Sequence, residues 1–266
     1  MSKTLYNRVE RAVSDTVIKE YGESNKYVMI LLHGGGLADW NYTAAAKALQ
    51  NDYHVIIPIL DGHSGGDSDF TSIESNADEI IAYIDEKFGG KVLLMGGLSL
   101  GGQILLDILA KRSNICNFAV IESALVCPMK MTARLIAPSL KLSYGFIKKR
   151  WFSKLQFRSL KLPQNLFDDY YRDSCAISRQ NMTAFLKANA NYTAKSGLSA
   201  CHARVLVLVG GKERRIMKKS AERICKMIPK SELCVQKGCY HGEISINKSA
   251  EYASMITAFI KGGAAE

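Results

Sequence analysis

The sequence predicts an α/β fold: a mostly parallel sheet flanked by helices, with an inserted helical segment. Three observations predict it. Strand-like apolar runs alternate with helix-period stretches up to about residue 124 and again after residue 194, as a parallel sheet with helical crossovers requires. Several of those runs are continuously apolar, the pattern of strands buried on both faces. Residues 125–194 lack any strand-like run and read as helical, basic and aromatic. The expected organisation is therefore a core of residues 1–124 and 195–266, with 125–194 as a helical cap inserted over the sheet.

The elements follow in order. Thr16 to Glu20 alternate and suit a short strand. "KYVMILL", Lys26 to Leu32, is a buried strand stopped by the turn "HGGG". Trp40 to Leu49 is alanine-rich and helical, with Asp39 in the N-cap position. "YHVIIPIL", Tyr53 to Leu60, is a strand, followed by the loop "DGHSGGDSD". From Ser72 an amphipathic helix places Ile73, Ala77, Ile80, Ile81, Ile84 and Phe88 along one face. "KVLLMGG" is a strand, Ser99 to Lys111 a helix, and "NFAVIES" from Asn117 a strand. After the inserted segment come the strand Ala203 to Gly211, a helix from about Met217 to Met227, the strand "ELCVQKG", a loop holding His241, and a helix from about Lys248 to Ile260.

Composition is that of an ordinary globular chain, with 47% apolar and 23% charged residues and a net charge of +10. The positive excess is concentrated: Lys130, Arg134, Lys141, Lys148, Lys149, Arg150, Lys154, Arg158 and Lys161 crowd one interval. That interval reads either as attraction to anionic substrates or a membrane surface, or as a solvated basic face. No nucleic-acid module accompanies the charge, so nucleic acid is not an expected partner. Seven cysteines in a chain of this size, an N-terminus without an apolar signal core and no run as long as a membrane span point to a cytoplasmic protein with reduced thiols and no stable membrane insertion.

Ser99 lies in Gly97-Leu98-Ser99-Leu100-Gly101, after a strand and before a helix. Such a turn holds a nucleophile in a strained conformation, and the glycines avoid clashes on either side. The helix N-terminus that follows favours developing negative charge. His33-Gly34-Gly35-Gly36 exposes backbone N–H groups after an earlier strand; Gly35 and Leu100 are the expected oxyanion donors. Of five histidines, His241 in "KGCYHGE" follows the last strand, at the carboxyl end where parallel sheets carry their sites, and is the expected base. His33 reads as structural, His54 as packing or surface, His63 as part of a glycine loop, and His202 as lying at the wrong sheet edge. Two carboxylates at strand ends can orient His241: Glu213 fits the chain order Ser, acid, His, and Glu122 is the fallback. Cys201, His202, Cys234, Cys239 and His241 lack the Cys-x-x-Cys spacing of a zinc site, so no metal is expected.

"HGGG", "DGHSGGDS", "GLSLGG", "GGKE" and "GCYHGE", in this order, resemble the α/β-hydrolase fold superfamily, and within it the small serine hydrolases or carboxylesterases with a helical cap. The resemblance covers nearly the whole chain. It implies Ser99 as nucleophile, His241 as base and then acid, Glu213 as orienter, and no cofactor. Most members carry Asp where this chain has Glu213, which keeps Glu122 as a rival. The expected activity is hydrolysis of a small ester or acyl substrate, lipid-like or anionic, through an acyl-enzyme. Tyr144, Phe146, Trp151, Phe152, Phe157, Phe167, Tyr170 and Tyr171 would supply apolar walls or cap core. Monoacylglycerol lipase, thioesterase and C–C bond hydrolase chemistry use the same triad, and a non-catalytic binder is the rival class.

Overall fold

The computed structural model describes residues 17–263. Among the described residues seven strands form one sheet: β1 (Ile18–Tyr21), β2 (Val28–Leu32), β3 (His54–Pro58), β4 (Val92–Leu98), β5 (Cys116–Glu122), β6 (Arg204–Gly210) and β7 (Ser231–Gln236). Their spatial order is β1-β3-β2-β4-β5-β6-β7. All neighbours pair in parallel except β1, which runs antiparallel to β3 at the edge, with Ile18 opposite Pro58. The mostly parallel sheet expected from the continuous apolar runs is present. Thr16, the first residue of the expected opening strand, lies outside the described residues.

The helices are α1 (Trp40–Leu49), α2 (Ile73–Phe88), α3 (Leu100–Lys111), α4 (Lys130–Ile147), α5 (Arg150–Ser159), α6 (Phe167–Ala176), α7 (Arg179–Asn191), α8 (Arg215–Met227), α9 (Glu243–Asn247) and α10 (Ser249–Gly263). They cover both faces of the sheet. Successive strand residues point to opposite sides. Ile30 and Leu32 therefore join α2, α3 and α8 in one core, while Met29 and Leu31 join α1, α9 and α10 in the other. Val205, Val207 and Val209 of β6 face the first core, and Leu206 and Leu208 the second. Each such side chain, fully buried, contributes about 1.5–3 kcal/mol by leaving water.

Local sequence explains the ends of α2, and the expected cap of α1 is corrected. Ser72 caps α2, its side chain accepting a hydrogen bond from Ser75 N–H at 2.9 Å, and Gly89 ends that helix in the left-handed region at φ 62°. Asp39 does not cap α1 through its side chain. Its own backbone is already helical, at φ −52° and ψ −34°, so its carboxylate is not placed over the first amides.

Between β5 and β6 the chain forms α4 to α7 and no strand. Polar ties hold this segment to the sheet domain. Asp173 on α6 accepts hydrogen bonds from Trp40 Nε1–H and from the Ser64 hydroxyl, both at 2.9 Å. Asn181 on α7 accepts from Phe70 N–H at 3.0 Å, and Gln103 donates to the Asn189 carbonyl at 3.0 Å. Phe157 packs against Phe167 and Tyr170 with ring centroids 5.3 Å from each, inside the segment. Phe146 and Trp151, grouped above with the apolar walls, instead stand out in solvent.

Candidate active site

The candidate residues lie after the carboxyl ends of β2, β4, β6 and β7. The chain leaves β2 toward β3 on one side and returns to β4 on the other, and such a switch point opens a crevice above the strand ends. Ser99 stands there with φ 53° and ψ −109°, a strained conformation for a residue with a side chain. Its backbone N–H donates to the Glu122 carbonyl at 2.9 Å, which pins the turn to β5. A side chain on Gly97 would meet the Gly101 carbonyl oxygen at 2.5 Å, and one on Gly101 would overlap the Leu32 carbonyl. Neither position admits a larger residue, so the two glycines allow the sharp turn and its close approach to β2. The Ser99 side chain does not cap α3 and is only partly buried.

The glycine loop after β2 is held by its neighbours. Gly34 N–H donates to Asn41 Oδ1 at 3.0 Å, and Gly36 N–H donates to His63 Nε2 at 2.9 Å. Gly35 N–H, between them, has no partner among the described residues. Leu100 supplies the first amide of α3, which has no acceptor within the helix. A Cβ on Gly35 would lie 3.5 Å from the Leu100 Cβ, so the two amides belong to neighbouring backbones.

His33 and His63 are the scaffold of this loop. His33 Nδ1–H donates to the Gly34 carbonyl at 2.9 Å while Nε2 accepts from Leu60 N–H at 3.1 Å. His63 Nδ1–H donates to the Asp61 carbonyl at 2.9 Å. Both rings are thereby fixed as neutral Nδ1–H tautomers. Burial, then the neighbouring His63, pushes the His33 pKa down to about 3 against the opposing Gly34 carbonyl. Burial takes His63 down to about 4, against the Asp61 and Leu60 backbone groups. The sequence marked His33 as structural; the anchoring roles of His63 and Asn41 escaped it. The signal for His63 was there in the loop "DGHSGGDS", but the strand order that brings it beneath "HGGG" is a tertiary fact.

His241 and Glu213 meet. His241 Nδ1–H donates to Glu213 Oε2 at 2.8 Å; the His241 side chain is 46% exposed and that of Glu213 1%. The other carboxylate oxygen accepts from the Ser123 hydroxyl at 2.6 Å and from Gly210 N–H at 2.8 Å. Burial alone would raise the Glu213 pKa; the His241 hydrogen bond and charge, with Ser123 and Gly210, outweigh it and hold the carboxyl below its ordinary value. Gly242, at φ 70°, would place a Cβ 3.2 Å from Leu98, so the histidine loop packs on the residue before Ser99.

Glu122 is buried beneath this arrangement. Its Oε1 accepts from Ser245 N–H at 3.4 Å, and its Oε2 has no partner among the described residues. Burial pushes its pKa up to about 7, with Ser245 offsetting part of the shift. His54 bonds Glu20 at 2.6 Å on the β1–β3 edge, and His202 sits at the opposite end of β6 from the site, where its N–H donates to the Ser113 carbonyl. Among the described residues no group of His, Cys, Asp and Glu is arranged to hold a metal ion, and no helix is long and apolar enough to cross a membrane. All seven cysteines are free.

Solved structures of the same architecture exist at low identity. An esterase from Thermogutta terrifontis superposes with a TM-score of 0.76 at 18% identity, over 93% of both chains. The meta-cleavage product hydrolase CumD from Pseudomonas fluorescens gives 0.75 at 18% identity, over 93% of this chain and 94% of that one. MenH from S. aureus gives 0.74 at 17% identity, over 94% and 98%. Comparison with curated protein sequences gives no match. The profile of the alpha/beta hydrolase family matches residues 29–253, most of the chain. With that match, and with the sheet and its helices arranged as above, this chain belongs to the alpha/beta hydrolase family.

Proposed function

We propose that the protein is a serine hydrolase that cleaves carboxylic esters through an acyl-enzyme. Family membership supports hydrolase chemistry. The observation that carries the ester reading is the charge-assisted bond from His241 to the buried Glu213, at the same sheet end as the strained Ser99. Glu213 fixes Nδ1 as the protonated nitrogen and leaves Nε2 to act as base. Ser99 Oγ attacks the ester carbonyl as its proton passes to His241 Nε2. The oxyanion is stabilised by Gly35 N–H and Leu100 N–H, which have no competing acceptor among the described residues. The intermediate collapses, the alcohol leaves with the proton from His241, and the acyl group stays on Ser99. Water, activated by the same imidazole, then releases the carboxylic acid.

Residues 125–194 serve as the cap in this reading. Support comes from Phe185 of α7, whose ring would lie 3.4 Å from a Cβ on Gly35 and stacks on His63 at 4.6 Å between centroids. The acyl or alcohol group therefore meets an apolar wall next to the proposed oxyanion donors.

Hydrolysis of p-nitrophenyl esters of graded chain length tests the reading. Ser99→Ala is expected to remove the activity, and Glu213→Gln to lower kcat about 10³–10⁴-fold by releasing the imidazole tautomer. Glu122→Gln is expected to retain most of it. Undiminished turnover in folded Ser99→Ala contradicts the mechanism, and a larger loss in Glu122→Gln than in Glu213→Gln reassigns the acid.

A further inference from the structure

The helix α4 is apolar on two opposite sides. One side, with Ala133, Leu140 and Ile147, is buried against the body of the protein, where α4 packs on α7. Met131, Leu135, Leu142 and Phe146 form a second stripe, at spacings of four, seven and four, and this one is open to solvent. Leu142 is 80% exposed and Met131 66%. The stripe continues onto α5 through Trp151, 64% exposed, whose ring lies 6.4 Å from Phe146 between centroids, and then Leu155 one turn later. A helix of a water-soluble domain normally turns its second face polar. Contiguous exposed apolar surface of this kind marks an interaction site.

The charge around the stripe selects the partner. Residues 123–167 contain nine Lys and Arg and no Asp or Glu. All nine cations are exposed; Arg150 pairs with Asp168 at 2.6 Å, also exposed. Two copies of this face would confront like charges, which disfavours a dimer through it. Cores of protein–protein interfaces are depleted in lysine, whereas here Lys130, Lys141 and Lys154 alternate with the apolar residues along the same helices. That mixture suits a lipid interface, where lysine and arginine stems lie along the apolar surface and their charges reach the headgroups.

We infer that the outer face of α4 and α5 docks the protein peripherally on a bilayer rich in anionic lipid, with the apolar stripe entering the acyl boundary and the cations on the headgroups. This is a surface contact, not a span, and it does not depend on the chemistry proposed at Ser99.

Vesicle co-sedimentation with the full chain tests the inference. Vesicles of phosphatidylcholine with about 30% phosphatidylserine are expected to bind the protein at least about tenfold better than phosphatidylcholine alone, and added salt to weaken binding. The chain has two tryptophans, Trp151 exposed and Trp40 buried, so docking is expected to shift emission to shorter wavelength, and Trp151→Phe to abolish the shift. Leu135→Asn with Leu142→Asn removes apolar contact without changing charge, at positions that support no packing. It is expected to weaken binding about tenfold while circular dichroism and turnover of a soluble acetate ester stay unchanged. Lys141→Gln with Lys148→Gln and Lys154→Gln is expected to do the same. Ser99→Ala is expected to bind as wild type. Absence of binding to anionic vesicles, binding that survives both surface variants, or a dimer in solution that Leu142→Asn dissociates would overturn the inference.

Discussion

Glu213 and Glu122 stand at the ends of adjacent strands and fold into opposite electrostatic states. Glu213 is buried but receives three hydrogen bonds, and its charge is held. Glu122 is buried with one long hydrogen bond, and its pKa rises to about 7. A carboxyl whose folded-state pKa exceeds the unfolded value adds stability that is full at low pH and lost as pH rises through the folded value. For Glu122 that window runs from about 4.5 to about 7. Urea unfolding of Glu122→Gln beside wild type is therefore expected to show the variant gaining on wild type across that window, by up to about 3 kcal/mol at pH 8. A pH-independent difference would show that Glu122 does not titrate there. His63 makes a second prediction at this scale. His63→Ala removes the acceptor for Gly36 N–H and the ring that stacks on Phe185, so the glycine loop loses its set geometry. We expect kcat for a short ester to fall about 10–100-fold with KM little changed, since the loop is proposed to act on the oxyanion more than on the bound substrate. A change confined to KM would place His63 in substrate binding.

Asp173 is one of the residues that tie the inserted helices to the rest of the chain. One carboxylate takes Trp40 Nε1–H and the Ser64 hydroxyl, and Arg172 from its own helix. Asp173→Ala leaves these donors without their acceptor, with an expected loss of about 2–4 kcal/mol in urea unfolding. A loss below 1 kcal/mol would mean that apolar packing alone seats α6. Element identity was readable from the residues because periodicity reports burial: the continuous run Met29 to Leu32 is a strand filling two cores at once, and Ser72 announces α2 by its cap. Asp39 misled because a capping residue type is informative only when its own backbone is extended, and here the preceding chain enters the helix already wound. Asn181 and Asn189 carried no readable signal, since their partners Phe70 and Gln103 lie far away in sequence.

At the scale of the whole molecule, the parallel sheet gathers Ser99, His241, Glu213 and the glycine loop from four separated stretches of chain. The strand-to-turn motifs made that gathering legible, because each ends a strand on the same side of the sheet. The carboxylate choice was legible only as a preference, since chain order favours Glu213 and leaves Glu122 as a rival. Both glutamates stand at strand ends, and the contacts that separate them, from His241, Ser123 and Gly210 to Glu213, are tertiary. The basic interval was visible as charge, but its open apolar stripe needed the structure, because periodicity in α4 does not tell which of two apolar sides faces inward. The central claim, that Ser99 is a nucleophile activated by His241, is tested most directly by reaction with a fluorophosphonate followed by peptide mass spectrometry. The account predicts one adduct, on Ser99, absent in Ser99→Ala and formed far more slowly in His241→Ala. A folded protein that stays unlabelled, or an adduct on another serine with Ser99 unmodified, would contradict it.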